Sequence, residues 1–387
     1  MPIIDQGYQH WQGRLSGHHW QWLAIARQGV RGQLAVRRVR LLLLGAWMPA
    51  LTLVTALALW GLFEQGAESV LRWLQPLLPP DVSADPHAYR LAVWTIAYSV
   101  FFKVETFFLM VLVLVAGPNL ISRDLRFNAL PLYLSRPLTR FDYFLGKLGV
   151  LAALVAAVTV APAVVAYGLG VCFSLDLSVV RDTWRLLPAS VLYGLLIVAS
   201  VGPLMLALSS LSRRTLYVGI AWAGLWIIST MVSSMLENVQ RATLLHAIAR
   251  EELGSASFNP HQRHRQIYAG GRWQTVQQRL ERAEAQAAPT NWRPLCSYTN
   301  NLQRLGEALF GTDAAWVTMG RAVAAPRAAL QPFLGGPGNR SASDDRGLAD
   351  RLVLQYPWTW SAGVLAALLG VSLWTLSIRV KSLDRLR

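Results

Sequence analysis

Apolar positions along this chain come in long blocks rather than in alternation. Six stretches are long enough to cross a bilayer as helices: Leu41–Phe63, Leu91–Gly117, Leu148–Leu175, Leu186–Ser212, Thr215–Leu236 and Leu352–Ile378. A hydrocarbon core about 30 Å thick needs about 20 mainly apolar residues in a spanning helix. Buried helices of soluble domains seldom carry uncharged runs of that length. No period-two pattern runs through the blocks, which argues against a membrane β-barrel. The expected fold class is therefore an all-α polytopic membrane protein with six transmembrane helices.

The polar segments between the blocks set the expected organisation. Residues 1–40 form an N-terminal segment, expected to include an interfacial helix, and contain no apolar stretch of the kind a cleavable signal needs. Residues 41–236 carry spans one to five, with a structured connection over 118–147 between the second and third. Residues 237–356 form a polar, partly helical insertion. Within it, Arg272–Ala288 is rich in helix formers. Asn301–Phe310 places Leu302, Leu305 and Leu309 on one helical face, and 335–346 reads as a Gly/Ser/Asp linker. Residues 357–387 hold the sixth span and a basic tail.

Composition and charge support this picture. Hydrophobic residues make up 53% of the 387 positions and charged residues 15%, against about 25% charged in soluble domains. The net charge of +15 falls mostly between apolar blocks rather than beside a soluble core, so nucleic acid is not an expected partner. With six spans, the side holding 1–40, 118–147, 213–214 and 379–387 carries 17 Lys and Arg, and the short loops 64–90 and 176–185 carry four. The positive-inside rule makes the richer side, and both termini, cytoplasmic; 237–356 is then extracytoplasmic.

Several chemistries are excluded by what is missing. The chain has three lysines, Lys103, Lys147 and Lys381, and only Lys147 follows a glycine. Leu148 then stands where a P-loop needs Ser or Thr, so this chain does not bind ATP by that route. His261 and His264 lack a third ligand in their segment, and no metal site is expected. Cys172 and Cys296 are the only cysteines; both fall near or beyond the outer face, where a disulfide is permitted by compartment. Lys103 and Glu105 lie near the middle of the second span. Two positions apart, they point to different sides of a helix and cannot pair with each other. The structural expectation is that both face the bundle interior. Pro162 and Pro203 interrupt the third and fourth spans, each removing a backbone hydrogen bond.

The densest signal is the connection from Gly117 to Lys147. Ser122 is a candidate N-cap for a short helix ending near Pro131, and Thr139 with Asp142 has the spacing of a capping pair opening the third span. Leu130, Leu132, Tyr133, Leu134, Phe141 and Tyr143 are too apolar for a solvated loop. Asp124, Arg126 and Arg136 add charged contacts.

This connection resembles that of the type-2 ATP-binding-cassette exporter permeases. The matching residues are Gly117, Pro118, Leu120, Ile121, Ser122, Asp124, Tyr133, Ser135, Arg136, Pro137, Asp142, Tyr143, Gly146 and Lys147. The six-span layout and basic N-terminal segment are also similar. The resemblance implies a membrane subunit in a prokaryotic plasma membrane that forms a translocation pathway in a homo- or heterodimer. It also implies a separate cytoplasmic ATPase holding ATP and Mg, with no cofactor on this chain. Ser122, Asp124, Arg126, Tyr133, Ser135, Arg136, Pro137 and Asp142 would lie in the element coupling the two. Membrane lipid is the other expected partner. Alternatives are an ion-driven secondary transporter, which would favour repeats and several intramembrane acids, a membrane-embedded enzyme, and a non-transporting membrane scaffold.

Overall fold

The structure, a computed structural model, describes residues 20–76, 78–128, 139–253, 272–320 and 355–384. Among these residues it contains helices and no strands. The helices are α1 (Gln21–Ala35), α2 (Arg37–Ala46), α3 (Met48–Glu64), α4 (Glu68–Leu74), α5 (Pro80–Ala84) and α6 (Pro86–Ala116). There follow α7 (Ser122–Arg126), α8 (Arg140–Val158), α9 (Val160–Ser174), α10 (Ser178–Thr183), α11 (Leu186–Leu211) and α12 (Thr215–Leu253). The last are α13 (Arg272–Ala287), α14 (Tyr298–Phe310), α15 (residues 312–320) and α16 (Trp358–Asp384).

Six of the resulting helical runs are long and apolar enough to span a membrane, as the pattern of blocks requires: Arg37–Glu64, Pro86–Ala116, Phe141–Ser174, Ser178–Leu211, Thr215–Glu251 and Trp358–Arg379. The protein is a multi-pass, all-α membrane protein. Several boundaries differ from the sequence reading, three of them for a visible local reason. The fifth span continues well beyond Leu236, because no Gly or Pro occurs between Leu225 and Leu253 to stop it. The third span begins at a capped Arg140 rather than at Leu148. The sixth starts at Trp358, directly after Pro357, rather than at Leu352.

The two prolines act differently. Pro162 has no N–H to offer the carbonyl of Val158, and the third span divides at Thr159 into α8 and α9. Pro203 sits inside α11 without ending it.

The core is built where the spans converge. Trp94, Tyr98, Phe102 and Tyr193 are buried. Tyr193 meets Phe102 edge-on at 5.1 Å between centroids, a favoured aromatic geometry. Into this cluster the polar insertion contributes its own residue: Phe310 of α14 stacks on Phe102 at 5.1 Å. The insertion thus reaches into the bundle. Helix α14 packs against α6, α11, α12 and α16, burying Tyr298, Leu302, Leu305 and Phe310. Gly306 makes the approach feasible, since a Cβ there would stand 2.8 Å from the Tyr193 ring. Ser297 caps the helix at one end, and Gly311 ends it in a left-handed conformation at the other.

One end of the bundle is fastened by Arg90, only 1% exposed. Its guanidinium contacts Glu64 at 2.9 Å, Asp182 at 3.0 Å and Asp176 at 3.2 Å, and also donates to Ser178 at 2.7 Å. The five planar donors of arginine suit such a divergent set of acceptors. Asp176, outside the spans, is held below the usual carboxylate range by hydrogen bonds from Ser178 and then by Arg90. The cluster joins the end of the first span to the second span and to the connection between the third and fourth. The opposite end carries the connection between the second and third spans.

Candidate functional site

The connection after the second span is anchored at both ends of its described part. Helix α6 ends at Ala116, and the chain turns through Gly117 and Pro118 into the five-residue α7. The turn is held from across the bundle by Ser209 of α11. The Ser209 oxygen accepts from the Ile121 amide at 3.1 Å and the Ser122 amide at 3.0 Å, and its hydroxyl donates to the Pro118 carbonyl at 3.0 Å. All three groups are buried, so the serine satisfies backbone groups that water does not reach. Ser122 is not the N-cap that its position suggested. It is the first residue of α7, and its hydroxyl donates back to the Pro118 carbonyl. Helix α7 also stops at Arg126, ahead of Pro131. Asn128 beyond it takes a positive φ of 53°, a conformation asparagine tolerates better than most residues.

Asp124 looks inward. Its carboxylate accepts from the Tyr143 hydroxyl at 2.7 Å and pairs with Lys147 Nζ at 2.7 Å. Both charged side chains are largely shielded, at 14% and 13% exposure, so the pair is screened less than a surface bridge. It ties α7 to the first turns of the third span. That span opens with the expected capping box. Thr139 accepts from the Asp142 amide at 3.1 Å, and Asp142 accepts from the Thr139 amide at 3.2 Å. Arg126 is exposed and lies over the Phe127 ring. Tyr133, Ser135, Arg136 and Pro137 lie outside the described residues.

The N-terminal helix completes this end. Helix α1 packs along α8, and two glycines allow the contact. A Cβ on Gly146 would lie 2.7 Å from Ile25 Cβ, and one on Gly149 would lie 2.9 Å from Ala26 Cβ. Small residues three apart let membrane helices approach closely. Gln33 donates to the Ala116 carbonyl at 3.3 Å, joining the end of α1 to the end of the second span. Arg27 and Arg31 stay exposed. Helix α1, helix α7 and the adjoining ends of spans two, three and four are therefore joined by hydrogen bonds, one ion pair and close packing.

The two intramembrane charges part company. Glu105 is 0% exposed, and among the described residues neither carboxylate oxygen has a hydrogen-bond partner. Lys103 does not face the interior as expected: its side chain is 47% exposed, and its Nζ lies 2.9 Å from Oε1 of Glu307 on α14. Glu307 in turn touches Arg304 at 3.4 Å, and Arg304 is held by Asp313 at 3.0 Å and by the Tyr356 carbonyl. The sequence places Lys103 and Glu307 too far apart for any local pattern to connect them. Ser209 likewise gives no sequence signal, being one of five serines in its apolar block.

Among the described residues no cluster of His, Cys, Asp and Glu is fit to hold a metal ion. Cys172 and Cys296 are both free; the disulfide considered for them is not formed. A family model described as ABC-2 family transporter protein matches residues 24–309. No curated protein and no solved structure matches the chain.

Proposed function

The chain belongs to the ABC-2 transporter family, and from that premise we propose that it is the membrane-spanning subunit of an ATP-driven exporter. In this reading it forms the translocation pathway as a dimer of permease subunits and takes its energy from a separate cytoplasmic ABC ATPase. Both termini and the 118–147 connection face the cytoplasm of a prokaryotic cell. The ATP and Mg belong to the partner, because this chain has no P-loop.

The observation that carries the coupling role is the double fastening of α7. Nucleotide-driven motion in a partner must bias a two-state bundle through contacts that differ between the states. A slack loop would absorb such a displacement. Here Ser209 and the Asp124–Lys147 pair bind the connection to α11 and α8, while the chain itself continues from α6. A push on the connection therefore reaches three spans together. Arg126, Tyr133, Ser135, Arg136 and Pro137 are the proposed docking face. Ser122, Asp124 and Asp142 keep it stiff from within.

The test is purification from native membranes under mild conditions. An ABC ATPase subunit is expected to copurify, and the permease alone is expected to show no nucleotide hydrolysis. Arg136→Ala and Tyr133→Ala should still insert yet lower cargo transport and any cargo-stimulated ATPase activity. Absence of an ATPase partner, or full transport by both variants, overturns this reading.

A further inference from the structure

Lys103 places a positive charge where a membrane helix tolerates it least. It lies about 25 Å along α6 from the Pro86 end and about 20 Å from the Ala116 end, at about 1.5 Å per residue. A lysine side chain is too short to reach either interface from there by snorkelling. Contact with acyl chains would leave its exposed part unsolvated, which is costly at that depth.

Its partner closes only one side. Glu307 sits 2.9 Å from Nζ and is itself 10% exposed, whereas Lys103 is 47% exposed. An ammonium has three N–H donors, so one carboxylate oxygen does not saturate it. Ser99, Gln303 and Glu307 line a narrow crevice beside it with room for about one water, so a ligand would meet Lys103 on its exposed flank. The rest of the exposed face is apolar: Val100, Val104 and Phe107 follow helical spacing around Lys103, and Phe107 lies 5.8 Å from Trp226 of the fifth span. Glu105 is no rival partner, because it is buried on another side of the helix.

A half-open cation set in an apolar strip matches one kind of ligand: a molecule with an anionic head and an apolar body. We infer that Lys103, flanked by Gln303, Val100, Val104 and Phe107, binds the anionic headgroup of an amphiphilic cargo within the translocation pathway. The inference rests on the exporter reading and names its substrate class. Glu307 orients the ammonium, the two remaining N–H donors receive the headgroup, and the apolar strip receives the chain. A cationic amphiphile would be repelled at this point.

The experiment uses the purified full-length chain in neutral phosphatidylcholine nanodiscs, titrated with an ω-bromoalkyl sulfonate and with the ω-bromoalkanol of equal chain length. Bromine near Trp226 quenches its fluorescence. The sulfonate should quench at lower concentration than the alcohol. Lys103→Gln should weaken the sulfonate at least about fivefold, to the level of the alcohol, while Lys103→Arg retains it. Trp226→Phe should remove the Lys103-dependent part of the signal. Unmoved melting of Lys103→Gln checks that the variant folds. Equal quenching in wild type and Lys103→Gln overturns the proposal. So does complete competition by phosphatidylglycerol in the disc, which would make the occupant bulk lipid. Spontaneous cross-linking of Lys103→Cys between two copies would make it a protomer contact and also overturn the proposal. No ATPase takes part, so the titration succeeds or fails independently of whether an ATPase copurifies.

Discussion

Lys147 and Asp124 face each other at 2.7 Å across the junction between the third span and the short helix before it. Both are mostly shielded from solvent, and Tyr143 donates to the same carboxylate. Removing Lys147 takes the ammonium from a shielded Asp124 carboxylate, and removing Asp124 takes that carboxylate from Lys147. Lys147→Met and Asp124→Asn should each cost about 1–3 kcal/mol, and the double variant less than the sum. A double-mutant cycle on thermal unfolding in detergent measures this; strict additivity would show that the pair is not coupled.

Ser209 satisfies two buried amides at once. Ser209→Ala leaves both without an acceptor, and the expected loss is about 1–3 kcal/mol. The variant should still insert, and hydrogen exchange should show the Ile121 and Ser122 amides exchanging faster. Unchanged protection at those two amides contradicts the role assigned to Ser209.

At the other end of the bundle, Arg90→Met would strand Glu64, which is 3% exposed. The expected destabilisation is about 3–5 kcal/mol. Asp176 adds a pH signature. Its depressed pKa, caused first by Ser178 and then by Arg90, stabilises the fold at pH above the ordinary aspartate value of about 4. That contribution disappears as pH falls through the lowered value, because the native carboxylate must then be protonated. Ser178→Ala should flatten this acid-side decline in melting temperature; an identical pH profile would refute it.

Gly306 lies against the Tyr193 ring. Gly306→Val should force α14 away from α11 at a cost of about 1–3 kcal/mol, and Tyr193→Ala in the same chain should recover part of it. Thermal unfolding of the single and double variants decides the point, since a clash-free Gly306→Val would melt like wild type.

The proposed orientation is checked by single cysteines in a background lacking Cys172 and Cys296. Trp20→Cys should resist an impermeant thiol reagent in intact cells, whereas Pro260→Cys should react. The 17-to-four asymmetry of Lys and Arg motivates this. The reverse labelling pattern would invert the topology.

How much was legible beforehand varies with the kind of interaction. The capping box of Thr139 and Asp142 could be read because its partners are three residues apart and its geometry is local. The start of the fifth span at Thr215 was equally plain, but its end was not, because hydropathy falls at Glu237 while helix propensity does not. Ser122 suits a cap by residue type alone. Its actual bond to Pro118 depends on the turn that Ser209 holds. Because charge avoids lipid, the sequence points Lys103 inward; the position of α14 gives it Glu307 and an open flank instead.

The sequence by itself determined that this is a six-span helical membrane protein without a P-loop. Each of those facts is a constraint along one dimension. A bilayer demands about 20 apolar residues per helix, and a phosphate loop demands a contiguous motif. Only the tertiary structure decided which charge is sealed and which is open, what holds the connection, and where the polar insertion enters the bundle. Those outcomes depend on side chains such as Ser209 with Ile121, or Lys103 with Glu307, meeting across large separations in the chain. Hydrogen bonds and ion pairs act over a few ångströms of space, and distance along the sequence does not encode them.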